Sequence, residues 1–142
     1  MNKNFLLKMS FDIEGNNFNA AGAASSEIKR KLKQIGLNSD VVRRAAVSAY
    51  EAEMNIVIHA YKGVLTVTVS PGEINILAED EGPGIADIEL AMKEGYSTAS
   101  DDVREMGFGA GMGLPNMKKC SDKFEIKTEL GVGTKVSMTI YY

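Results

Sequence analysis

The chain has 142 residues, 44% hydrophobic and 25% charged, which is enough to bury the core of one domain. Sixteen basic and nineteen acidic residues give a net charge of −3, which disfavours a nucleic acid as the partner of the whole domain. One cysteine excludes an internal disulfide, and no run of about 18 apolar residues is present to span a membrane. We expect a single domain over residues 1–142, a cytoplasmic location and neither a membrane nor a nucleic-acid partner.

The first part of the chain has one strand pattern and two helix patterns. Apolar residues at every second position of residues 5–13 predict a half-buried strand. Residues 18–35 predict a helix, and four basic residues in it indicate a solvated face, because no aromatic residue interleaves them as in a nucleic-acid patch. Residues 40–61 predict a second helix. Its apolar stripe is predicted to consist of Val47, Tyr50, Met54, Ile58 and Tyr61.

The second part of the chain has two hairpin patterns separated by a glycine-rich segment. Pro71 and Gly72 form the turn of the first hairpin, and a Gly-Val-Gly sequence forms the turn of the second. Strands are predicted at residues 64–69, 74–78, 123–129 and 134–142. Helices are predicted at residues 87–94 and 114–120, the latter with Pro115 in its first turn. This order of elements predicts an α+β two-layer sandwich, with a mostly antiparallel sheet and helices on one face.

Three groups of residues are candidates for chemistry, and the first lies on the second helix. Glu51, Asn55 and His59 recur every four residues and therefore share one helical face. A carboxylate and a carboxamide oxygen placed in this way suit a proton transfer beside a hard cation. The same spacing is also typical of a polar face whose side chains hydrogen-bond one another.

The second group follows an apolar strand and consists of Asp80, Gly82, Gly84 and Ile85. Two glycines allow the backbone to approach a flat ligand closely, and the carboxylate can accept a hydrogen bond from an exocyclic amine. A type II turn, or a loop that caps the next helix, would use the same residues.

The third group lies in a window that holds half of the glycines, since seven of fourteen fall within residues 82–113. Its candidates are Gly107, Gly109, Gly111, Gly113 and Leu114, which open a predicted helix. Backbone N–H groups at a helix start bind phosphate, although a floppy surface loop has a similar composition. Neither a dinucleotide G-x-G-x-x-G motif nor a phosphate-binding G-x-x-x-x-G-K-[ST] motif fits, so the common nucleotide folds are excluded.

In chain order, E-x-x-x-N, D-x-G-x-G-I and G-x-G-x-G-L, followed by Gly133 and Thr134, resemble the Bergerat (GHKL) ATP-binding superfamily. The resemblance runs from about residue 41 to residue 142, and the short chain resembles the anti-sigma-factor serine kinase branch. Residues 94–99 and 104–114 are most similar to the stressosome switch kinases (RsbT type).

The resemblance implies a role for each matching residue. Glu51 would act as the general base, and Asn55 would hold Mg²⁺ at the triphosphate of ATP. Asp80 would accept a hydrogen bond from the adenine amino group, and Thr134 would reinforce Asp80. The other residues implied in ATP binding are Gly82, Gly84 and Ile85 near the base, with Gly107, Gly109, Gly111, Gly113 and Leu114 at the phosphates.

The resemblance also implies a protein serine/threonine kinase that phosphorylates a STAS-domain antagonist in a bacterial stress or sigma-factor pathway. Release from that antagonist would allow contact with a downstream regulator such as a phosphatase, and a homodimer is left open. The alternative is a non-catalytic ATP-binding anti-sigma module that sequesters a sigma factor or another partner. Glu51 favours the kinase, because nucleotide binding alone needs no base.

Overall fold

The structure is a computed structural model that describes residues 6–93 and 113–142. These residues form an antiparallel five-stranded sheet with helices packed on one face, which confirms the predicted α+β two-layer fold. In chain order the elements are β1 (Leu7–Glu14), α1 (Ala23–Gln34), α2 (Ser39–His59), β2 (Lys62–Ser70), β3 (Glu73–Glu81), α3 (Ile88–Ala91), α4 (Gly113–Cys120), β4 (Lys123–Glu129) and β5 (Gly133–Tyr141). The strand order across the sheet is β1-β2-β3-β5-β4.

The core lies between the sheet and helix α2, which is also in contact with α1 and α4. Alternation of side chains along the three central strands buries every second residue. Leu65 of β2 lies opposite Ala78 of β3, and Ala78 lies opposite Val136 of β5. Two further buried rows run parallel to this one, formed by Val67, Ile76 and Met138 and by Val69, Ile74 and Ile140.

Helix α1 is shorter than predicted, because it begins at Ala23 rather than at residue 18. Gly22, directly before it, has a φ of 93°, which lies outside the helical region. The chain therefore turns between residues 17 and 22 before the helix starts.

The predicted apolar stripe of α2 is wrong. Of its five residues only Met54 is buried, while Tyr50 is 39% exposed and Tyr61, which lies beyond the end of the helix, is 74% exposed. The buried surface of α2 instead includes three alanines, Ala45, Ala49 and Ala52. Small side chains are needed there because α2 packs against a helix on each side as well as against the sheet.

Within residues 6–93 and 113–142, no helix combines the length and the hydropathy that crossing a bilayer would require.

Candidate functional site

Glu51 and Asn55 lie one turn apart on α2, and both side chains are directed at the first residue of α4. A Cβ atom added to Gly113 would lie 3.2 Å from Oε2 of Glu51 and 3.3 Å from Oδ1 of Asn55. Such contacts are tight, so glycine lets the start of α4 approach these two oxygens. The structure thus brings Gly113, from the third predicted group, next to Glu51 and Asn55 of the first group.

Helix α4 is held in this place by anchors along its length. Leu114 and Met117 are buried in the core, so Leu114 packs as an apolar anchor beside Gly113. At the other end of α4, the Arg44 guanidinium donates to the carbonyl oxygen of Cys120 and to Oδ2 of Asp122, each at 3.1 Å. These contacts fix α4 to α2 and thereby position Gly113 against Glu51.

Glu51 is half-buried, and burial raises the pKa of its carboxyl group above the usual glutamate range. In the part of the chain that the structure describes, no hydrogen bond or ion pair contacts its carboxylate. A desolvated carboxylate without partners holds a proton more readily than an exposed one, and a base becomes more effective as its pKa approaches the working pH. Glu51 is therefore the candidate proton acceptor of this site.

Asp80 lies near the end of β3, where its Oδ1 accepts a hydrogen bond of 3.0 Å from the backbone N–H of Thr134. Burial raises the pKa of Asp80, and this hydrogen bond opposes the rise. Within the described ranges, no donor is bound to the second carboxylate oxygen, Oδ2. Asp80 can therefore accept one further hydrogen bond from a ligand.

The loop after β3 packs against the turn between β4 and β5, and glycine is required at two of these contacts. A Cβ at Gly133 would overlap the carbonyl oxygen of Asp80. Gly84 has a φ of 77°, and its added Cβ would lie 2.6 Å from the carbonyl oxygen of Glu129. In the same contact, the N–H of Gly82 donates to the carbonyl oxygen of Val132 at 3.0 Å. This mutual packing fixes Asp80 relative to β5.

Thr128 on β4 joins the second group, although the sequence reasoning did not select it. Its Oγ1 accepts a hydrogen bond of 2.8 Å from the N–H of Ile85 and lies 3.0 Å from Oγ1 of Thr134. Thr134 thus contacts Asp80 through its backbone N–H, while its hydroxyl pairs with Thr128. The register places these two threonines opposite each other, so the predicted hairpin held the signal that could have identified Thr128.

The loop after β3 does cap the next helix, but the capping residue is Asp87 and not Asp80. Asp87 fills that role, because its Oδ1 accepts from the N–H of Leu90 at 3.1 Å at the start of α3.

Glu53 is a second acidic residue of α2 that the sequence reasoning missed. Its side chain is 2% exposed, and its carboxylate accepts hydrogen bonds from the N–H groups of Gly22, Ala24 and Ser25 at 3.0, 3.3 and 3.0 Å. These N–H groups lie at the start of α1, where backbone donors have no acceptor within the helix itself. Glu53 therefore supplies the cap of α1 from a position about thirty residues away in sequence.

The remaining predicted residues lie apart from these groups or beyond what is described. His59 ends helix α2, one turn after Asn55. Gly107, Gly109 and Gly111 lie outside the described residues. Among residues 6–93 and 113–142 there is no cluster of three histidine, cysteine or acidic side chains able to hold a metal ion.

Comparison with known proteins gives consistent results. The family described as the histidine kinase-like ATPase domain matches residues 17–140. The serine/threonine-protein kinase RsbT of Bacillus subtilis (strain 168) is 32% identical over 118 residues, which cover 80% of this chain and 83% of that protein. The anti-sigma F factor of Clostridium acetobutylicum is 35% identical over 139 residues, or 93% of this chain and 89% of that protein. The anti-sigma F factor of Thermoanaerobacter sp. (strain X514) is 39% identical over 103 residues, or 69% and 67%.

A solved structure has the same fold. The crystal structure of the RsbU and RsbW domains of Rv1364c from Mycobacterium tuberculosis matches 95% of this chain with a TM-score of 0.65 and 15% sequence identity. The match occupies 32% of that longer chain, so it concerns one part of it.

Proposed function

This chain belongs to the histidine kinase-like ATPase domain family, and from that premise we propose that it is an ATP-dependent protein serine/threonine kinase with Glu51 as its general base. The family match confirms the ATP-binding superfamily predicted from the motifs. The similarity to a named serine/threonine-protein kinase bears out the predicted enzyme class. The proposed catalytic domain spans residues 1–142.

The observation that carries the proposal is the placement of Glu51. Its carboxylate has a pKa raised by burial, lies one turn from Asn55 and faces the backbone of Gly113. A serine or threonine hydroxyl is a weak nucleophile until a base accepts its proton. Glu51 would accept that proton as the hydroxyl oxygen attacks the γ-phosphate of ATP, while ADP leaves. Phosphoryl transfer otherwise depends on positioning and on charge stabilisation.

Asn55 suits the predicted Mg²⁺ role, because its Oδ1 is a neutral oxygen ligand beside the start of α4. Mg²⁺ generally takes one or two protein oxygens together with water and substrate phosphates, so a single carboxamide oxygen is compatible with this role. When bound, Mg²⁺ would neutralise charge on the triphosphate.

Asp80 would select the base of the nucleotide. Its free oxygen would accept a hydrogen bond from the amino group of adenine, while Thr134 holds the other oxygen. Gly82, Gly84 and Ile85 would bring the loop after β3 close to the base. Gly113 and Leu114 would continue the phosphate site proposed for Gly107, Gly109 and Gly111.

We further propose a STAS-domain antagonist as the phosphorylated partner and a downstream regulator, such as a phosphatase, as the protein contacted after release. A homodimer and a cytoplasmic location complete the proposal. The relatives named anti-sigma F factors support a second candidate, a non-catalytic ATP-binding module that sequesters a sigma factor.

A single assay distinguishes the kinase from the sequestering module. Purified protein is incubated with labelled ATP, Mg²⁺ and a STAS-domain protein from the same organism, and transfer of label is followed together with complex formation. The kinase predicts label on a serine or threonine of the STAS protein. ATP-dependent binding of a partner without any transfer would favour the sequestering module.

A further inference from the structure

A groove lies between the C-terminal half of α1 and the N-terminal half of α2. It encloses about 370 Å³. Leu37, in the connection between the helices, contributes to its lining together with Val42 and Val47 of α2. Val42 is buried, whereas Leu37 and Val47 are half-buried and present apolar surface to the groove. The floor of the groove is therefore suited to receive an apolar side chain.

Basic side chains line both sides of this groove. Lys29 and Lys33 come from α1, and Arg43 comes from α2 across the groove. Neither lysine is paired with a carboxylate in the described ranges of the chain. Arg43 contacts Asp40 at 3.1 Å, but both side chains are more than 60% exposed, so this pair is weak and exchangeable.

The segment that contains both sides of the groove differs from the rest of the chain in the sign of its net charge. Residues 23–47 contain six basic and two acidic side chains and so carry a net charge of +4. Because the whole chain carries −3, the remaining residues carry −7. A basic groove on an otherwise acidic protein attracts acidic ligands and orients their approach.

We propose that this groove docks an acidic amphipathic helix of a partner protein, with an aliphatic side chain on the floor and carboxylates against the basic rim. Lys29 and Lys33 are one helical turn apart, about 6 Å, a spacing that matches carboxylates one turn apart on a second helix. The groove has an apolar floor, and none of the described residues that line it is aromatic, which favours a protein helix over the stacked bases of a nucleic acid.

The groove lies on the N-terminal side of the proposed base along α2. Arg43 lies eight residues before Glu51, about 12 Å along the helix axis, and Val47 lies four residues before it, about 6 Å.

A labelled helical peptide tests this inference. Its sequence places glutamates around two leucines four residues apart, and fluorescence anisotropy measures its binding to the full chain. We expect the double variant Lys29→Glu/Lys33→Glu to weaken binding at least tenfold. The matched control Lys127→Glu/Lys135→Glu, which reverses two exposed charges across β4 and β5, should leave affinity within about twofold. Thermal unfolding verifies that both variants are folded.

Two further arms complete the test. Replacing the two leucines of the peptide by glutamine should abolish binding, and amide NMR shifts on peptide addition should concentrate at the groove residues. Equal binding by wild type and Lys29→Glu/Lys33→Glu would overturn the proposal. So would unchanged binding of the glutamine peptide, or tighter binding of a single-stranded oligonucleotide or of anionic vesicles at the same lysines.

Discussion

Glu51 and Glu53 are two residues apart on α2, yet they lie in opposite environments. The Glu51 carboxylate is half-buried beside Gly113, and in the described residues it has no hydrogen-bond partner. The Glu53 carboxylate is fully buried and accepts three backbone hydrogen bonds from the start of α1. Two identical side chains on one helix thus meet two different surfaces, since neighbouring positions point in different directions around the axis.

The contrast separates the carboxylate that we propose as the general base from one that has a structural role. The Glu53 carboxylate supplies acceptors to backbone N–H groups that have no partner within α1. Burial raises the pKa of the Glu51 carboxyl group, and a base becomes more effective as its pKa approaches the working pH. Polar satisfaction, more than burial alone, therefore distinguishes the two acids.

The largest expected effect is on phosphate transfer in the Glu51→Gln variant. Glutamine keeps the size of the side chain but cannot act as a base, so transfer to the partner should fall about 10²–10⁴-fold. Binding of Mg·ATP, measured by calorimetry, should be retained. The matched variant Glu125→Gln, an exposed change on β4, should transfer phosphate at the wild-type rate. Wild-type transfer by Glu51→Gln would show that Glu51 is not the base.

Replacing Glu53 should affect stability rather than chemistry. Glu53→Ala leaves the N–H groups of Gly22, Ala24 and Ser25 without their acceptor, and we expect a loss of about 3 kcal/mol in the free energy of unfolding. Urea denaturation measures this loss, and the exposed change Glu125→Ala should cost less than about 0.5 kcal/mol. If Glu53→Ala unfolds at the wild-type midpoint, its carboxylate does not hold the start of α1.

A smaller effect is expected on nucleotide affinity when Asp80, the residue proposed to bind the adenine base, is replaced. Asp80→Asn replaces one acceptor oxygen by an amide donor, so ADP affinity should fall by about 1–3 kcal/mol, with little change for GDP. Isothermal calorimetry with both nucleotides measures the difference. Thr134→Val serves as the control for the hydroxyl, because the hydrogen bond to Asp80 comes from the backbone and survives this change. Equal ADP affinity in wild type and Asp80→Asn would remove Asp80 from the adenine site.

Local patterns in the sequence were sufficient to predict the strands and the candidate group that contains Glu51 and Asn55. Alternation in β1 and β2 depends on neighbours two residues apart, and the face shared by Glu51 and Asn55 depends on neighbours four apart. The cap that Glu53 provides depends on residues about thirty positions away, for which no local pattern exists. Spacing of three and four residues predicts Tyr50 in the apolar stripe of α2, whereas the contacts of α1 and α4 with α2 favour alanine on its buried surface. Identification of Thr128 from the sequence would have required the register of the β4–β5 hairpin as well as the prediction that the hairpin exists.

The smallest effect is the pH dependence of stability, and it bears directly on the contrast between the two acids. Burial raises the pKa of Glu51 in the folded state, so the folded protein binds this proton more tightly than the unfolded chain does. The associated stability is fully present below the usual glutamate pKa and is lost as pH rises through the raised value. Glu51→Gln has no proton to lose, so its stability relative to wild type should increase across that window and then stay constant.

Urea unfolding of wild type and Glu51→Gln measures this difference in stability. The measurements run from about pH 4 to pH 8, a range that includes the ordinary glutamate pKa and the values above it. Asp122 has a pKa lowered mainly by the backbone N–H of Tyr141, which gives a slope of the opposite sign, but it is present in both proteins and cancels. The exposed change Glu125→Gln should give a curve parallel to wild type. A constant difference between wild type and Glu51→Gln would mean that Glu51 ionises as easily in the folded protein as in the unfolded chain. The assignment of Glu51 as the base would then rest on its position beside Asn55 and Gly113 alone.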